Sequence, residues 1–392
     1  MTHRVRERPG RGRLRVLAWP AFRKQAANPH AALLARELIA LGIEVVDWTP
    51  VRALLQPGNL WHIHHPETVV FRRSPARSAF EAITFLGLLW LARLRGARVL
   101  WTIHDLGSND GLHPRLEAWF WKAFIPGLDA FICLSRSSRT LALERFPALL
   151  DRPAHIVPHG HYRDAYPHTV TRATARQRLG LPPEATVLLH FGLMRPYKNV
   201  PQLIRAFRAM PDGDAFLLVV GKPFDQAIER EAREIADGAS NVQLHLCWVP
   251  PDDVQTFFAA SDLVVLPYRR ILNSGALMLA LGFGCPVLVP DLGSMREQQE
   301  AFGADWIRLY SGELSTDELA EACRWARMAS RPSPDLGGLD WRALALQTRA
   351  VYDLVRSGRP QLPAGGTGVE DAAGAGEGGI ARPRRVPLHH DG

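Results

Sequence analysis

The sequence predicts an α/β fold made of two successive parallel sheets, each wound with helices on both faces. Short runs that are apolar at nearly every position, among them Ala130–Leu134, Thr186–Phe191 and Leu263–Leu266, are the first sign. They lack the in–out alternation of a half-exposed sheet, as strands covered on both faces do. These runs alternate with helical segments from residue 14 to residue 356, which is the pattern of a parallel sheet with crossover helices. The alternation pauses near Tyr162–Thr171 and then restarts, so 392 residues divide into two domains of ordinary size.

In the first half, strands are expected at Leu14–Ala18, Ile43–Asp47, Leu60–His64, Ala97–Ile103, Ala130–Leu134 and His155–Val157. Asn28-Pro29 opens a helix to Leu41, with Asn as cap and Pro in the first turn, and Gly42 closes it. Further helices are expected at Pro75–Arg95, Pro114–Phe124 and Arg136–Phe146. The second half gives strands at Thr186–Phe191, Phe216–Val220, Val242–Leu246, Leu263–Leu266, Pro286–Val289 and Asp305–Leu309. Its helices are expected at Pro201–Ala209, Gln226–Asp237, Asp252–Ala259, Ser274–Phe283, Thr316–Met328 and Trp341–Val355. The implied organisation is a basic disordered arm at 1–13, a first domain at 14–165, a second at 172–335 and a closing helix at 340–356. A Gly-, Pro- and Ala-rich tail, 357–392, is expected to be disordered.

Composition bounds the function. With 47% hydrophobic and 22% charged residues the chain reads as a globular protein. Cys133, Cys247, Cys285 and Cys323 form no CxxC pair and three lie in apolar runs, which points to reduced thiols in a cytoplasmic setting rather than zinc or disulfides. Residues 1–165 hold 23 Lys and Arg against 13 Asp and Glu, the remainder 24 against 26. The basic first half suits an acidic partner or is simply an Arg-rich solvated surface. No zinc module, recognition helix or aromatic RNA-binding strand accompanies it, so no nucleic-acid partner is expected. The N-terminus shows no apolar core of signal type, and Ala79–Leu94, interrupted by Glu81 and Arg93, is too short to span a bilayer.

Two loops at the carboxyl ends of strands carry candidate chemistry, because that edge is where doubly wound sheets hold ligands. In Asp262–Glu297 a strand leads into a helix opening at Asn273, Ser274 and Gly275. Asn273 is a plausible cap, and the amides and positive dipole end beyond it suit a phosphate. An ordinary strand–helix–strand packing unit is the alternative. Gly192–Asn199, GLMRPYKN, follows a strand likewise and sets Arg195 and Lys198 beside Gly192, where a backbone can approach a ligand closely. A guanidinium and an ammonium together suit a diphosphate.

The chain resembles the GT-B glycosyltransferases of the group 1 type. The matching segments are FGLMRPYKNVPQLIRAF (Phe191–Phe207), ASDLVVLPY (Ala260–Tyr268), GFGCPVLVPDLGSMRE (Gly282–Glu297) and TIHD (Thr102–Asp105). The resemblance implies two Rossmann-like domains facing across a cleft, the second holding a nucleoside diphosphate sugar, with a last helix crossing back to the first. It also implies nucleotide or sugar contacts at Val249, Tyr268 and Glu297. The retaining members' pair of Glu residues, eight apart, falls here on Ile271 and Leu279. That departure favours inverting chemistry, and LNSGALMLALGFG is similar to bacterial exopolysaccharide transferases, including β-mannosyltransferases that use GDP-mannose.

Inverting transfer needs a base from the first domain. Asp105 is the favoured candidate over Asp110 and Glu67, with His104 against the donor sugar; the alternative is that both only tie their loop together. His64, His65, Glu67 and Asn28 are acceptor-side candidates. His62 and His64 share a strand face without a carboxylate or cysteine at ligand spacing, and Asp212-Gly213-Asp214 precedes a strand on the wrong edge, so no metal and no other cofactor is expected. The donor would be a GDP- or UDP-sugar, the acceptor a polysaccharide or lipid-linked glycan. A retaining transferase of the same fold, a nucleotide-sugar epimerase and a non-catalytic sugar- or lipid-binding protein on the same scaffold are rival readings. Trp90, Trp119, Phe120 and Trp121 beside Arg93, Arg95 and Arg98 fit either core packing or docking on the inner face of an anionic membrane.

Overall fold

A computed structural model describes residues 14–358 except 24, 27, 109–110, 212, 214 and 328–332. The expectations for the N-terminal arm, the C-terminal tail, Asp110, Asp212 and Asp214 lie outside the described residues. The first half runs β1 (Arg15–Trp19), α1 (His30–Ala40), β2 (Glu44–Asp47), α2 (Pro50–Leu55), β3 (Leu60–Ile63) and α3 (Glu67–Val70). It continues with α4 (Pro75–Leu94), β4 (Arg98–Ile103), α5 (Pro114–Phe124), β5 (Ala130–Cys133), α6 (Arg136–Arg145) and β6 (Ala154–Ile156). The second half opens with α7 (Arg172–Leu179), β7 (Thr186–Phe191), α8 (Val200–Arg208), β8 (Ala215–Val220), α9 (Gln226–Ala236) and β9 (Val242–His245). Then come α10 (Pro251–Ala260), β10 (Leu263–Val265), α11 (Gly275–Gly282), β11 (Val287–Pro290), α12 (Met295–Phe302), β12 (Ile307–Tyr310), α13 (Thr316–Arg327) and α14 (Trp341–Ser357).

Two six-stranded sheets result, ordered β2-β1-β3-β4-β5-β6 and β12-β11-β10-β7-β8-β9. Every pairing is parallel, so all carboxyl ends of a sheet share one edge. The order reverses direction between β1 and β3 in the first sheet and between β7 and β10 in the second. Loops leaving adjacent strands at such a point turn to opposite faces and leave a crevice between them. The phosphate-type loops Gly192–Asn199 and Leu266–Gly275 are the two that leave β7 and β10.

Strands β3, β5, β10 and β11 are buried at every position, as their apolar runs require, and His62 in β3 is buried with them. Each fully buried Leu, Val or Ile contributes about 1.5–3 kcal/mol relative to exposure. One buried cluster passes from Val16 and Leu100 through Tyr162, Trp341 and Leu344 to Val187 and Val264, joining both halves in one compact unit. Helix α14 lies on α1 and β4. It is fixed there by His62 Nδ1 to the Tyr352 hydroxyl at 2.7 Å and by Trp341 Nε1 donating to the His161 carbonyl at 2.8 Å.

Helices α2, α3, α7 and α12 have no counterpart in the sequence expectations. They are short, and α7 and α12 bury only Ala175 with Arg176, and Met295, so their apolar periodicity is too faint to read. Cys133, Cys285 and Cys323 are buried, Cys247 is exposed, and all four are free. Of the aromatics that fitted either core packing or membrane docking, Phe120 and Trp121 are buried in the first-half core. There Trp121 stacks on Trp101 with centroids 5.0 Å apart.

Candidate active site

The loop after β7 is pinned before it carries any charge. Gly192 N donates to Val220 O and Met194 N to Lys222 O, extending the β7–β8 ladder past the strand ends. The approach is so close that a Cβ on Gly221 would sit 2.1 Å from the Gly192 carbonyl oxygen. Gly192 has φ +125°, and a Cβ there would meet the Lys198 ammonium at 3.2 Å. The Lys198 nitrogen therefore occupies the space that the missing side chain leaves. It lies 5.5 Å from the centre of the Tyr268 ring. Burial, with Arg195 nearby, lowers its pKa to about 8, while the Asp105 carboxylate pulls the other way.

The loop after β10 joins this one through Arg269 N donating to Tyr197 O at 2.8 Å. Helix α11 opens beside them. Its cap is Ser274, whose Oγ accepts from the Leu277 amide at 3.1 Å, so the expected cap at Asn273 is corrected. Asn273 has other work: its Nδ2 donates to the His104 carbonyl at 3.4 Å and its Oδ1 accepts from Ser294. The amides of Gly275 and Ala276 then form the first turn at the crevice.

A cleft of about 290 Å³ brings the halves together. Asn28 and Asp105 line it from the first half; Gly192, Lys198, Tyr268, Asn273, Ser274 and Gly275 line it from the second. Asn28 is oriented by its Oδ1, which accepts the His30 amide at 3.1 Å. Asp105 also lines a second cavity of about 600 Å³, walled by Leu106, Glu117, Leu141, Arg145 and Leu272. Arg270 and Ile271 are common to both. The Asp105 loop is braced from below, since Glu117 accepts from the Ser108 amide at 2.6 Å and from Trp121 Nε1 at 3.2 Å. Ile271 and Leu279, which stand where a Glu pair would stand in retaining relatives, both face the 290 Å³ cleft. Its wall there is aliphatic.

Other expected residues are not gathered. Arg195 does not line the cleft; its guanidinium lies 4.7 Å from the centre of the Phe224 ring. Val249 packs against the core rather than lining the cleft. Glu297 stands elsewhere, bridging the halves: its carboxylate accepts from the Arg136 and Ser137 amides at 2.9 and 2.7 Å, at the start of α6. Burial raises its pKa, but those amides and the Arg136 guanidinium outweigh burial and hold it below the usual carboxylate range. His65 and Glu67 pair with each other at 3.1 Å, and His64 Nδ1 meets His104 Nε2 at 3.1 Å. None of these four residues lines the cleft. In their place the structure adds Tyr162, Tyr166, Phe191, Tyr197 and Arg270. The two tyrosines at 162 and 166 lie in the segment read as an interdomain boundary, where aromatic residues were the available signal.

Comparison with known proteins agrees with this fold. The sequence model described as "Glycosyl transferases group 1" matches residues 185–326, most of the second half. A GDP-mannose:glycolipid 4-beta-D-mannosyltransferase of Xanthomonas campestris pv. campestris is 30% identical over 290 residues, covering 74% of this chain and 78% of its own. Sucrose-phosphate synthase from Thermosynechococcus elongatus superposes with a TM-score of 0.65 at 16% identity, covering 88% of this chain and all (100%) of its own. Anabaena HepE, solved in complex with UDP-glucose, gives 0.62 at 14% identity, covering 88% and 99%. With the GT-B fold common to these structures and a relative aligned over most of its length, the chain belongs to the group 1 glycosyl transferases and is a glycosyltransferase.

Proposed function

We propose that the protein transfers a hexose from a nucleoside diphosphate sugar to a glycolipid or polysaccharide acceptor, with inversion at the anomeric carbon. The donor is taken as GDP-mannose, as in the name of the Xanthomonas relative. One observation carries the reading: Asp105 lines two adjoining cavities, and across the smaller one stand Lys198 and the first turn of α11. In this arrangement the donor fills the 290 Å³ cleft and the acceptor hydroxyl enters from the 600 Å³ cavity. The hydroxyl oxygen attacks the anomeric carbon, Asp105 takes its proton, and the bond from that carbon to the diphosphate oxygen breaks. Charge on the departing diphosphate is met by the Lys198 ammonium and the α11 amides, which supply the electrostatic stabilisation a cation would otherwise give.

The aliphatic Ile271 and Leu279 support inversion, because no carboxylate from those positions stands on the donor's other face. The enzyme is further proposed to work on the cytoplasmic face of an anionic membrane. Phe80, Ile83, Trp90 and Leu94 are exposed along one face of α4, the spacing of a helical stripe. Exposed Arg73, Arg77 and Arg95 flank it, a pattern suited to an interfacial surface. Among the described residues no helix is long and apolar enough to cross a membrane. Incubation with GDP-mannose or UDP-sugars and a lipid-linked oligosaccharide acceptor, followed by NMR of the product's anomeric proton, tests the proposal. An α-linked product from GDP-mannose would refute inversion, and hydrolysis or epimerisation without acceptor would refute transfer.

A further inference from the structure

The carboxyl edge of the first sheet gathers histidines from distant parts of the chain. Most have partners. His62 is held between Tyr352 and Thr102 at 2.7 Å each, His65 by Glu67, and His159 Nδ1 by the Gly160 carbonyl at 2.9 Å. The inner three face one another, with His64 and His104 sharing a hydrogen bond. His30 begins α1, His64 follows β3 and His104 follows β4, and one ring nitrogen from each lies within 4.8 Å of the others. His64 Nδ1 and His104 Nε2 are 3.1 Å apart, while the His30 Nδ1 atom is buried with no hydrogen-bond partner.

We propose that His30, His64 and His104 form a three-imidazole site for one divalent transition-metal ion of the zinc type, at the edge of the inter-half cleft. Two imidazole nitrogens on a tetrahedral zinc with bonds of ~2.0–2.1 Å stand about 3.3 Å apart, close to the His64–His104 separation. His30 completes the set, with one ring nitrogen within 4.8 Å of those of the other two. Burial first, and then repulsion from neighbouring histidines, holds all three rings well below the usual imidazole pKa, and the neutral imidazole is the form that ligates an ion. An all-nitrogen set selects zinc, cobalt, nickel or copper over magnesium or calcium. His65 stacks on His104 with centroids 4.5 Å apart and is itself fixed by Glu67, and Asn273 holds the His104 carbonyl. Such outer contacts orient ligating rings. The fourth position is left for water or a cleft oxygen. The ion would tie together the ends of α1, β3 and β4, which carry Asn28 and Asp105.

The site is tested on the full chain after treatment with chelator and dialysis, titrating zinc sulfate and, separately, cobalt chloride. Expected are about one ion per chain by elemental analysis, a visible tetrahedral cobalt spectrum, and a rise in melting temperature with zinc. His30→Ala and His64→Ala should each abolish the cobalt spectrum, and circular dichroism checks that they fold. His389→Ala with His390→Ala, in the tail, should leave it intact. Absence of the spectrum in the parent protein, its survival in both inner-histidine variants, or its loss with the tail pair alone would overturn the proposal.

Discussion

At the scale of single residues, the proposed reaction depends on two side chains of opposite sign that line the same cleft, Asp105 and Lys198. Asp105→Asn keeps the shape and removes the base, so kcat should fall by about 10²–10⁴ with donor affinity changed little; steady-state kinetics and donor titration calorimetry separate the two. Lys198 makes donor binding pH-dependent. A bound diphosphate favours its charged form, so binding takes up a proton wherever the free side chain has lost one. With its pKa lowered to about 8 by burial, affinity should be level below that pH and fall above it, by up to about tenfold per unit. Calorimetry from neutral to alkaline pH should show that slope in the parent and a flat profile in Lys198→Ala. That variant should bind the donor about 10–100-fold more weakly.

At the scale of elements, two helix starts bear on the cleft for different reasons. The Ser274 hydroxyl caps α11, and Ser274→Ala should lower stability by about 1 kcal/mol in urea denaturation. It should also weaken donor binding, since the first turn it orders is the proposed phosphate site. Glu297, from the other half of the chain, accepts the first two amides of α6, beyond its Ser135 cap. Glu297→Ala strands two helix-start amides and removes a carboxylate from the positive end of the dipole, a loss of about 1–3 kcal/mol. Its folded pKa is lowered, so its contribution is present above the usual carboxylate range and disappears as pH falls through the lowered value. Parent and variant urea midpoints should therefore converge in acid. Nothing in the residues around Glu297 advertised this. Its motif resembles a nucleotide contact, and only the juxtaposition of α12 with α6 turns it into a bridge between halves.

At the scale of the whole molecule, the exposed apolar stripe on α4 and the basic first half predict binding to anionic vesicles. Flotation with phosphatidylglycerol liposomes should bring the protein to the top fraction. Trp90→Ser with Leu94→Ser should leave it at the bottom with activity on a soluble acceptor unchanged, because neither residue lines the cleft. Flotation equal in parent and variant would mean that the stripe is an ordinary solvated surface.

The sequence by itself determined the two parallel sheets, all twelve strands among the described residues and the two strand-end loops that line the cleft. Each is written locally, in unbroken apolar runs, Gly–Pro–Asn punctuation and loops placed at strand ends, and local pattern is enough when both faces of a sheet are covered. It also placed Asp105, Asn28, Lys198 and the α11 opening, because their positions follow from which strand each loop leaves. What only the tertiary structure decided is where side chains point once the loops are in place. Arg195 turns onto Phe224, Glu297 reaches α6, Phe120 and Trp121 go inward, and His64 meets histidines 34 residues before it and 40 after it in the sequence. These outcomes depend on contacts between segments far apart in the chain, and one strand's periodicity holds no record of what the neighbouring loop will bring to it.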